Sequence, residues 1–311
     1  MKTVLVTGSQ GLMGSAISNM VLPDNWFLIK IDRTHGNLTI EDNVIDLFRC
    51  HHPNYVIHTA AKVGGIGGNL KGHGDYFRDN ILMNTHIIHQ SMLHNVEKLI
   101  MFSSVCVFPH DLALLEEDKM HNGPVFESNF AYGYSKRMVD IMIRAYKSQY
   151  GVKNYCSVIP GNIAGEYDNY SLTEGHVMPM LIHKMYRAKH FGEPFKVWGD
   201  GQSLREFLYA GDVAKWIVEL LQKPELPERI IMSGEKEYSI KHIVDLLCQT
   251  ANYTGEVIWE TDKPNGQRCR PSSKKIFNEY IQNARYTSIE DLVSISYKWF
   301  EQNYPNVRGI K

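Results

Sequence analysis

The sequence predicts an α/β protein: a doubly wound parallel sheet with a smaller mixed α/β portion added toward the C-terminus. Three observations predict it. Short, β-branched strands alternate with apolar-periodic helices as far as residue 164. A glycine triplet separates the first strand from the first helix. Beyond Gly165 the alternation becomes irregular, and mixed strands and helices follow. At 311 residues and 43% hydrophobic, the chain can bury a substantial core. A formal net charge of -1 gives no electrostatic case for binding nucleic acid.

The first strand, Thr3 to Thr7, is followed by Gly8-Ser9-Gln10-Gly11-Leu12-Met13-Gly14 and a helix expected to reach about Leu22. Gly8 permits a tight turn, Gly11 lets backbone approach a pyrophosphate, and Gly14 lets helix and strand pack closely. This is the arrangement of a Rossmann-type dinucleotide site, with Gln10, Leu12 and Met13 in the same turn. The next strand, Trp26 to Ile31, ends at Asp32-Arg33. Asp32 suits an adenosine ribose and favours NAD; Arg33 suits a 2′-phosphate and favours NADP. These residues alone leave both NAD(H) and NADP(H) open.

Tyr55 to His58 reads as a further buried strand, with His58 structural. Ala60 and Ala61 leave room for a coenzyme, and Gly64 to Gly68 form a pliable rim. A helix from about Asp75 to Leu93 carries Asn80, which could bridge backbone groups near the catalytic strand. That strand runs from Lys98 to Ser104 and brings Ser104 and Cys106 to its end. The polar connection that follows includes Glu116-Glu117-Asp118, read as solvated surface. In the helix from Tyr132 to Gln149, Tyr132 and Lys136 are four residues apart and share a face. A nearby ammonium is expected to lower the phenol's pKa and fit it for proton transfer during oxidoreduction. A strand from Asn154 to Ile159 completes this part. Residues 1–164 are therefore read as dinucleotide-binding, with segments returning near 210–235, and 165–311 as mainly substrate-binding.

In the second portion His176 stands at a helix N-terminus, where the dipole favours neutral imidazole. Lys184 follows two turns later. Trp198 offers a stacking platform and Arg205 a bidentate grip on phosphate. Lys263-Pro264-Asn265-Gly266-Gln267-Arg268-Cys269-Arg270-Pro271 is a basic loop suited to a diphosphate, and equally to a solvated patch. Cys50, Cys106, Cys156, Cys248 and Cys269 are scattered, without metal-ligand spacing, so no metal is expected. No leader pattern and no bilayer-length apolar run occurs, so the expected setting is cytoplasmic and not a membrane.

Together these stretches resemble the extended short-chain dehydrogenase/reductase superfamily. Ala60 to Gly65, Ser104-Val105-Cys106-Val107-Phe108-Pro109, Asn129 to Arg137 and Gly175 to Pro179 resemble more closely its GDP-4-keto-6-deoxy-mannose 3,5-epimerase-4-reductases. The resemblance implies reduction by Ser104, Tyr132 and Lys136, and epimerisation by Cys106 and His176. It implies Arg33 at the NADP 2′-phosphate and Lys136 at the nicotinamide ribose. Asn162, Lys184, Trp198, Arg205 and Lys263 fall where that family contacts a GDP-sugar. Gln10 stands where arginine is common. A homodimer is implied, with the helix carrying Tyr132 near its interface. The rival readings are an NAD-dependent sugar-nucleotide 4-epimerase or dehydratase, and a non-catalytic dinucleotide-sensing scaffold.

Overall fold

The computed structural model describes residues 1–64, 72–263 and 270–310. Its strands are Lys2–Thr7 (β1), Trp26–Ile31 (β2), Tyr55–His58 (β3), Lys98–Phe102 (β4), Asn154–Pro160 (β5) and Asn162–Ala164 (β6). They continue as Phe195–Trp198 (β7), Leu204–Tyr209 (β8), Arg229–Met232 (β9), Glu237–Ser239 (β10) and Val257–Glu260 (β11). The helices are Leu12–Ser18 (α1), Glu41–His51 (α2), His73–Leu93 (α3), Phe130–Tyr150 (α4) and Val177–Phe191 (α5). Ala210–Gln222 (α6), Ile240–Ala251 (α7), Lys275–Tyr280 (α8) and Ile289–Asn303 (α9) follow.

The main sheet has the order β2-β1-β3-β4-β5-β9. All its pairs are parallel, with Leu5 beside both Ile29 and Val56. Parallel strands need crossover helices that cover both faces, so the inner strands are apolar throughout. Val4, Val6, Ile57 and Ile100 pack on one face with Trp216 and Ile217 of α6. Leu5, Val56, Leu99 and Met101 pack on the other with Phe48, Ile87 and Val139. The expected doubly wound sheet is therefore present. A separate core joins α5, α7 and α9 through Met185, Leu247 and Phe300. It lies beside a three-stranded sheet, β10-β8-β6, and a two-stranded one, β11-β7.

The chain grows outward from β1 to β2, then crosses back to β3, opening a crevice between the loops after β1 and β3. Gly8, at φ +69, closes the base of that crevice, because a Cβ there would lie 2.8 Å from the Ala60 nitrogen. At Gly14 a Cβ would fall 2.1 Å from the Gly8 carbonyl oxygen, so α1 packs against the turn only with glycine there.

Several local expectations change. Helix α1 ends at Ser18, with Asn19 as its C-cap, instead of near Leu22. Strand β4 ends at Phe102; Ser104 instead caps a 3-10 turn, Val105–Val107, that carries Cys106. Helix α2 was not foreseen, although Glu41 and Asp42 in its first turn and buried Val44, Leu47 and Phe48 are its sequence signature. The acidic cluster is not all solvated surface. Glu117 is buried, and its Oε1 accepts the Ile231 amide at 2.9 Å. The Glu117 backbone carbonyl also accepts Arg229 at 3.0 Å, which ties the long connection to the edge strand β9. Removing this acceptor leaves a buried amide without its partner. Glu117→Ala is expected to lower the unfolding free energy in urea by about 1–3 kcal/mol; an unchanged value would contradict this tie.

Candidate active site

One wall of the site is the junction between β4 and α4. Ser104 Oγ accepts the Cys106 amide at 3.2 Å, and Asn129 Nδ2 donates to Cys106 Sγ at 3.1 Å. The turn can sit this close because residue 133 is glycine. A Cβ on Gly133 would lie 2.8 Å from the Cys106 carbonyl oxygen. Tyr132 is consequently buried beside the thiol, and the Ser104 hydroxyl reaches both Tyr132 and Cys106. One turn on, Lys136 is 2% exposed and its Nζ donates to the Phe102 carbonyl at 2.9 Å, fastening α4 to the end of β4.

The electrostatics differ from the expectation that Lys136 lowers the Tyr132 pKa. Burial pushes the phenol well above the ordinary tyrosine range, and nearby Cys106 adds to this while Ser104 opposes it. Burial alone lowers the Lys136 ammonium to about 8. The lysine is committed to a backbone carbonyl, and water removal outweighs charge pairing for the phenol. Burial likewise raises the Cys106 thiol, opposed by the Ser104 hydroxyl, the Arg270 guanidinium and the Asn129 amide. Arg270 itself is anchored on the Pro109 carbonyl. His58 serves as a structural group, pairing through Nδ1 with Thr7 Oγ1 at 2.8 Å.

The second wall comes from the loop before α5. His176 is the N-cap residue of that helix, and its side chain makes no capping bond. It is exposed to solvent, although protein atoms crowd around the ring. Desolvation there, and then the Arg308 guanidinium, lower its pKa and favour neutral imidazole. Neutral imidazole was expected; the causes are surrounding protein and a cation, where the sequence suggested a helix dipole. The two walls meet through Gly64, where a Cβ would lie 2.5 Å from the Tyr76 hydroxyl and 3.7 Å from the Glu174 carbonyl. Tyr76 also acts electrostatically on Tyr132. Asn80 does bridge backbone groups, but in the loop after β3: it accepts from Lys62 N at 3.0 Å and donates to Lys62 O at 2.9 Å.

The crevice between β1 and β3 holds the predicted coenzyme residues. Gly8, Gly11, Leu12, Met13 and Gly14 form the turn into α1, and Ala60 and Ala61 follow β3. Gly11 has an ordinary φ of -84, so conformation does not demand glycine there. Nor does crowding, since a Cβ would find only the Gly8 oxygen at 3.4 Å and Arg308 Nη1 at 3.6 Å. Space beside a bare backbone with a guanidinium nearby fits a pyrophosphate. Farther out, Ser9, Gln10, Lys30, Asp32, His35 and Tyr167 line a hollow. Gln10 Nε2 donates to Asp32 Oδ2 at 2.5 Å, and Asp32 also accepts from Thr34 N at 2.9 Å. The Thr34 and His35 hydrogen bonds hold the Asp32 carboxyl at about 2. Arg33 is exposed at the start of the turn Arg33–His35.

The five predicted substrate contacts fall into two groups. Lys184 lies over the Trp198 ring at 5.5 Å and donates to the Lys196 carbonyl at 3.0 Å. Trp198 is 52% exposed, as a stacking platform must be, and pairs in register with Glu260, three residues before Lys263. Lys263 Nζ lies 3.6 Å from Asp262. In the other group Asn162 donates to the Glu206 carbonyl at 2.9 Å, beside Arg205, whose Nη1 donates to the Leu204 carbonyl at 2.5 Å. Of the glycine rim and the basic loop, Gly65 to Gly68 and Pro264 to Cys269 lie outside the described residues. Sequence reasoning missed Asn129, Tyr76, Lys30 and Arg308. Only Asn129, three residues before Tyr132 at the helix entry, had a positional signal.

A glycine turn between first strand and helix, together with half-buried Ser104 and buried Tyr132 and Lys136, defines a class. The chain belongs to the NAD dependent epimerase/dehydratase family, which it matches over residues 4–233. Within that family its full-length relatives include GDP-L-fucose synthases. The enzyme of that name from Dictyostelium discoideum is 36% identical, with 99% of this chain and 98% of the relative aligned. That from Sinorhizobium fredii is 32% identical over 97% of this chain and 96% of the relative. A crystal structure of a GDP-L-fucose synthetase from Naegleria fowleri bound to NADP superposes with a TM-score of 0.92. It is 34% identical and covers 99% of this chain and 95% of its own.

The buried ammonium makes stability depend on pH. With Lys136 at about 8 in the folded protein against 10.5 unfolded, the unfolded state binds more protons between those values. Stability contributed at this site therefore rises with pH through that window. Relative to Lys136→Met, the unmodified protein should gain on the order of 1–3 kcal/mol from pH 8 to 10.5 in denaturant titrations. A difference that does not change with pH would contradict the burial assigned here.

Proposed function

We propose that this enzyme converts GDP-4-keto-6-deoxy-D-mannose to GDP-L-fucose, epimerising C3 and C5 and reducing C4 with NADPH. The observation that carries the reading is the thiol of Cys106, held by Asn129 and Ser104 beside a buried Tyr132. A reductase needs the serine, tyrosine and lysine; it has no need of a positioned thiol. The C4 ketone acidifies the hydrogens at C3 and C5, because each carbanion is delocalised as an enolate. Cys106, as thiolate, takes a proton from one face, and His176, as imidazolium, returns one to the other. That state is one proton transfer away from the thiol and neutral imidazole favoured by burial. Arg270, Ser104 and Asn129 each favour the thiolate. Tyr132 stays protonated in its dry position, so it donates a hydrogen bond to the enolate oxygen and later its proton to the C4 oxygen.

When bound, NADPH supplies the hydride for C4. Gly8, Gly11, Gly14, Ala60 and Ala61 would hold its pyrophosphate and nucleoside, and Lys136 its nicotinamide ribose. Arg33 would face the 2′-phosphate, while the Gln10–Asp32 pair leaves a ribose acceptor that also admits NADH. Residues 1–164, with returns near 210–235, form the coenzyme domain in this reading, and 165–311 mainly the sugar-nucleotide domain. Trp198 stacks the guanine; Lys184, Arg205 and Lys263 meet the diphosphate, and Asn162 the sugar. A homodimer is supported by exposed Phe130, Tyr134, Met138 and Ile141, which line one stripe of α4. Four described cysteines are unpaired, which supports a reducing, cytoplasmic setting.

The test is incubation with GDP-4-keto-6-deoxy-D-mannose and NADPH in deuterated water, with the product read by NMR. Cys106→Ser is expected to slow deuterium entry at C3 and C5 by about 100-fold or more, leaving NADP affinity within about twofold. Undiminished exchange in that variant would remove its role as a base.

A further inference from the structure

The C-terminal tail after α9 brings a cation to the coenzyme crevice that no part of the mechanism above uses. The tail is built into the fold. Val307 is buried in the second-lobe core, and Ile310 packs against the same cluster. The Arg308 carbonyl accepts the Tyr170 amide at 2.9 Å. Gly309, at φ +91, fits so closely that a Cβ would lie 2.3 Å from Asn169 Oδ1 and 2.4 Å from the Ser171 nitrogen. With its flanking residues fixed, the Arg308 backbone is held within side-chain reach of the β1–α1 turn. Its Nη1 stands 3.6 Å from where a Gly11 Cβ would be, directly over the turn between β1 and α1. The side chain makes no hydrogen bond or ion pair with any described residue. It acts at longer range on Asp168 and His176.

We propose that Arg308 binds the coenzyme pyrophosphate, so that the end of the chain completes the dinucleotide site begun by its first strand. The glycine turn supplies amide donors and room but no charge, since Ser9, Gln10, Leu12 and Met13 are all neutral. A planar guanidinium held above Gly11 supplies two parallel N–H donors to an anionic bridge. It also explains why Gly11 is bare where neither its backbone angle nor packing requires it. The tail belongs to the second-lobe core, so pyrophosphate contact would join the two lobes through one side chain. A loop that carries Asp168 and leads to His176 would share in that fixation.

This inference rests on the coenzyme reading above, and its test omits the sugar nucleotide. NADP+ and adenosine 2′-monophosphate, which lacks a pyrophosphate, are titrated into the full chain and into two variants, with tryptophan fluorescence or calorimetry as readout. Arg308→Ala should weaken NADP+ about tenfold and Arg308→Glu about 100-fold, while adenosine 2′-monophosphate stays within about twofold. Wild-type NADP+ affinity in Arg308→Glu would overturn the proposal. So would equal weakening of both ligands, which would point to general disruption of the crevice. Failure of the unmodified protein to bind NADP+ would overturn the coenzyme reading itself.

Discussion

The exclusion of water at the end of strand β4 constrains everything built around it. Lys136, almost wholly buried, donates a hydrogen bond to the Phe102 carbonyl, and that bond fixes the helix bearing Tyr132 against the strand delivering Ser104. A buried ammonium without a carboxylate is costly, and here a single oriented carbonyl offsets part of the cost. The same dryness acts on the neighbouring acids, keeping the Tyr132 phenol and the half-buried Cys106 thiol protonated. Acid–base character at this site therefore belongs to the group as a unit, with burial as the dominant cause and hydrogen bonds as corrections.

Close backbone approaches make that unit possible. Gly133 admits the Cys106 turn against α4, Gly8 admits the loop after β3, and Gly64 lies between the Tyr76 hydroxyl and the Glu174 carbonyl. At each of the three glycines a Cβ would meet a neighbour at 2.8 Å or less, and each joins a different pair of segments. Together they join segments from the first quarter and the middle of the chain. The second lobe, with its own core of Phe300, Met185 and Leu247, carries His176 and the exposed Trp198.

Much of this was legible in the sequence because period and spacing are local. Strands such as Trp26–Ile31 and Tyr55–His58 announce themselves as short β-branched runs between turns, and the structure reproduces their bounds. The four-residue interval between Tyr132 and Lys136 is a helical property and so was readable. Its electrostatic consequence was not, because the partner Lys136 chooses is a carbonyl 34 residues earlier. Glu117 illustrates the same limit: three adjacent acids look solvated until a distant edge strand offers an amide to one of them. Arg308 was invisible for a related reason. Its place over Gly11 depends on how the tail docks against residues 169–171, a contact between segments that no local pattern encodes.

The central claim is that burial, and not the neighbouring ammonium, sets the state of Tyr132. Labelling tyrosine with carbon-13 at the ring carbon bearing oxygen, and assigning Tyr132 through Tyr132→Phe, allows its titration to be followed by NMR in the coenzyme-free protein. The account predicts a phenol that remains protonated beyond pH 10, the ordinary tyrosine midpoint. A phenolate appearing near neutral pH would contradict it.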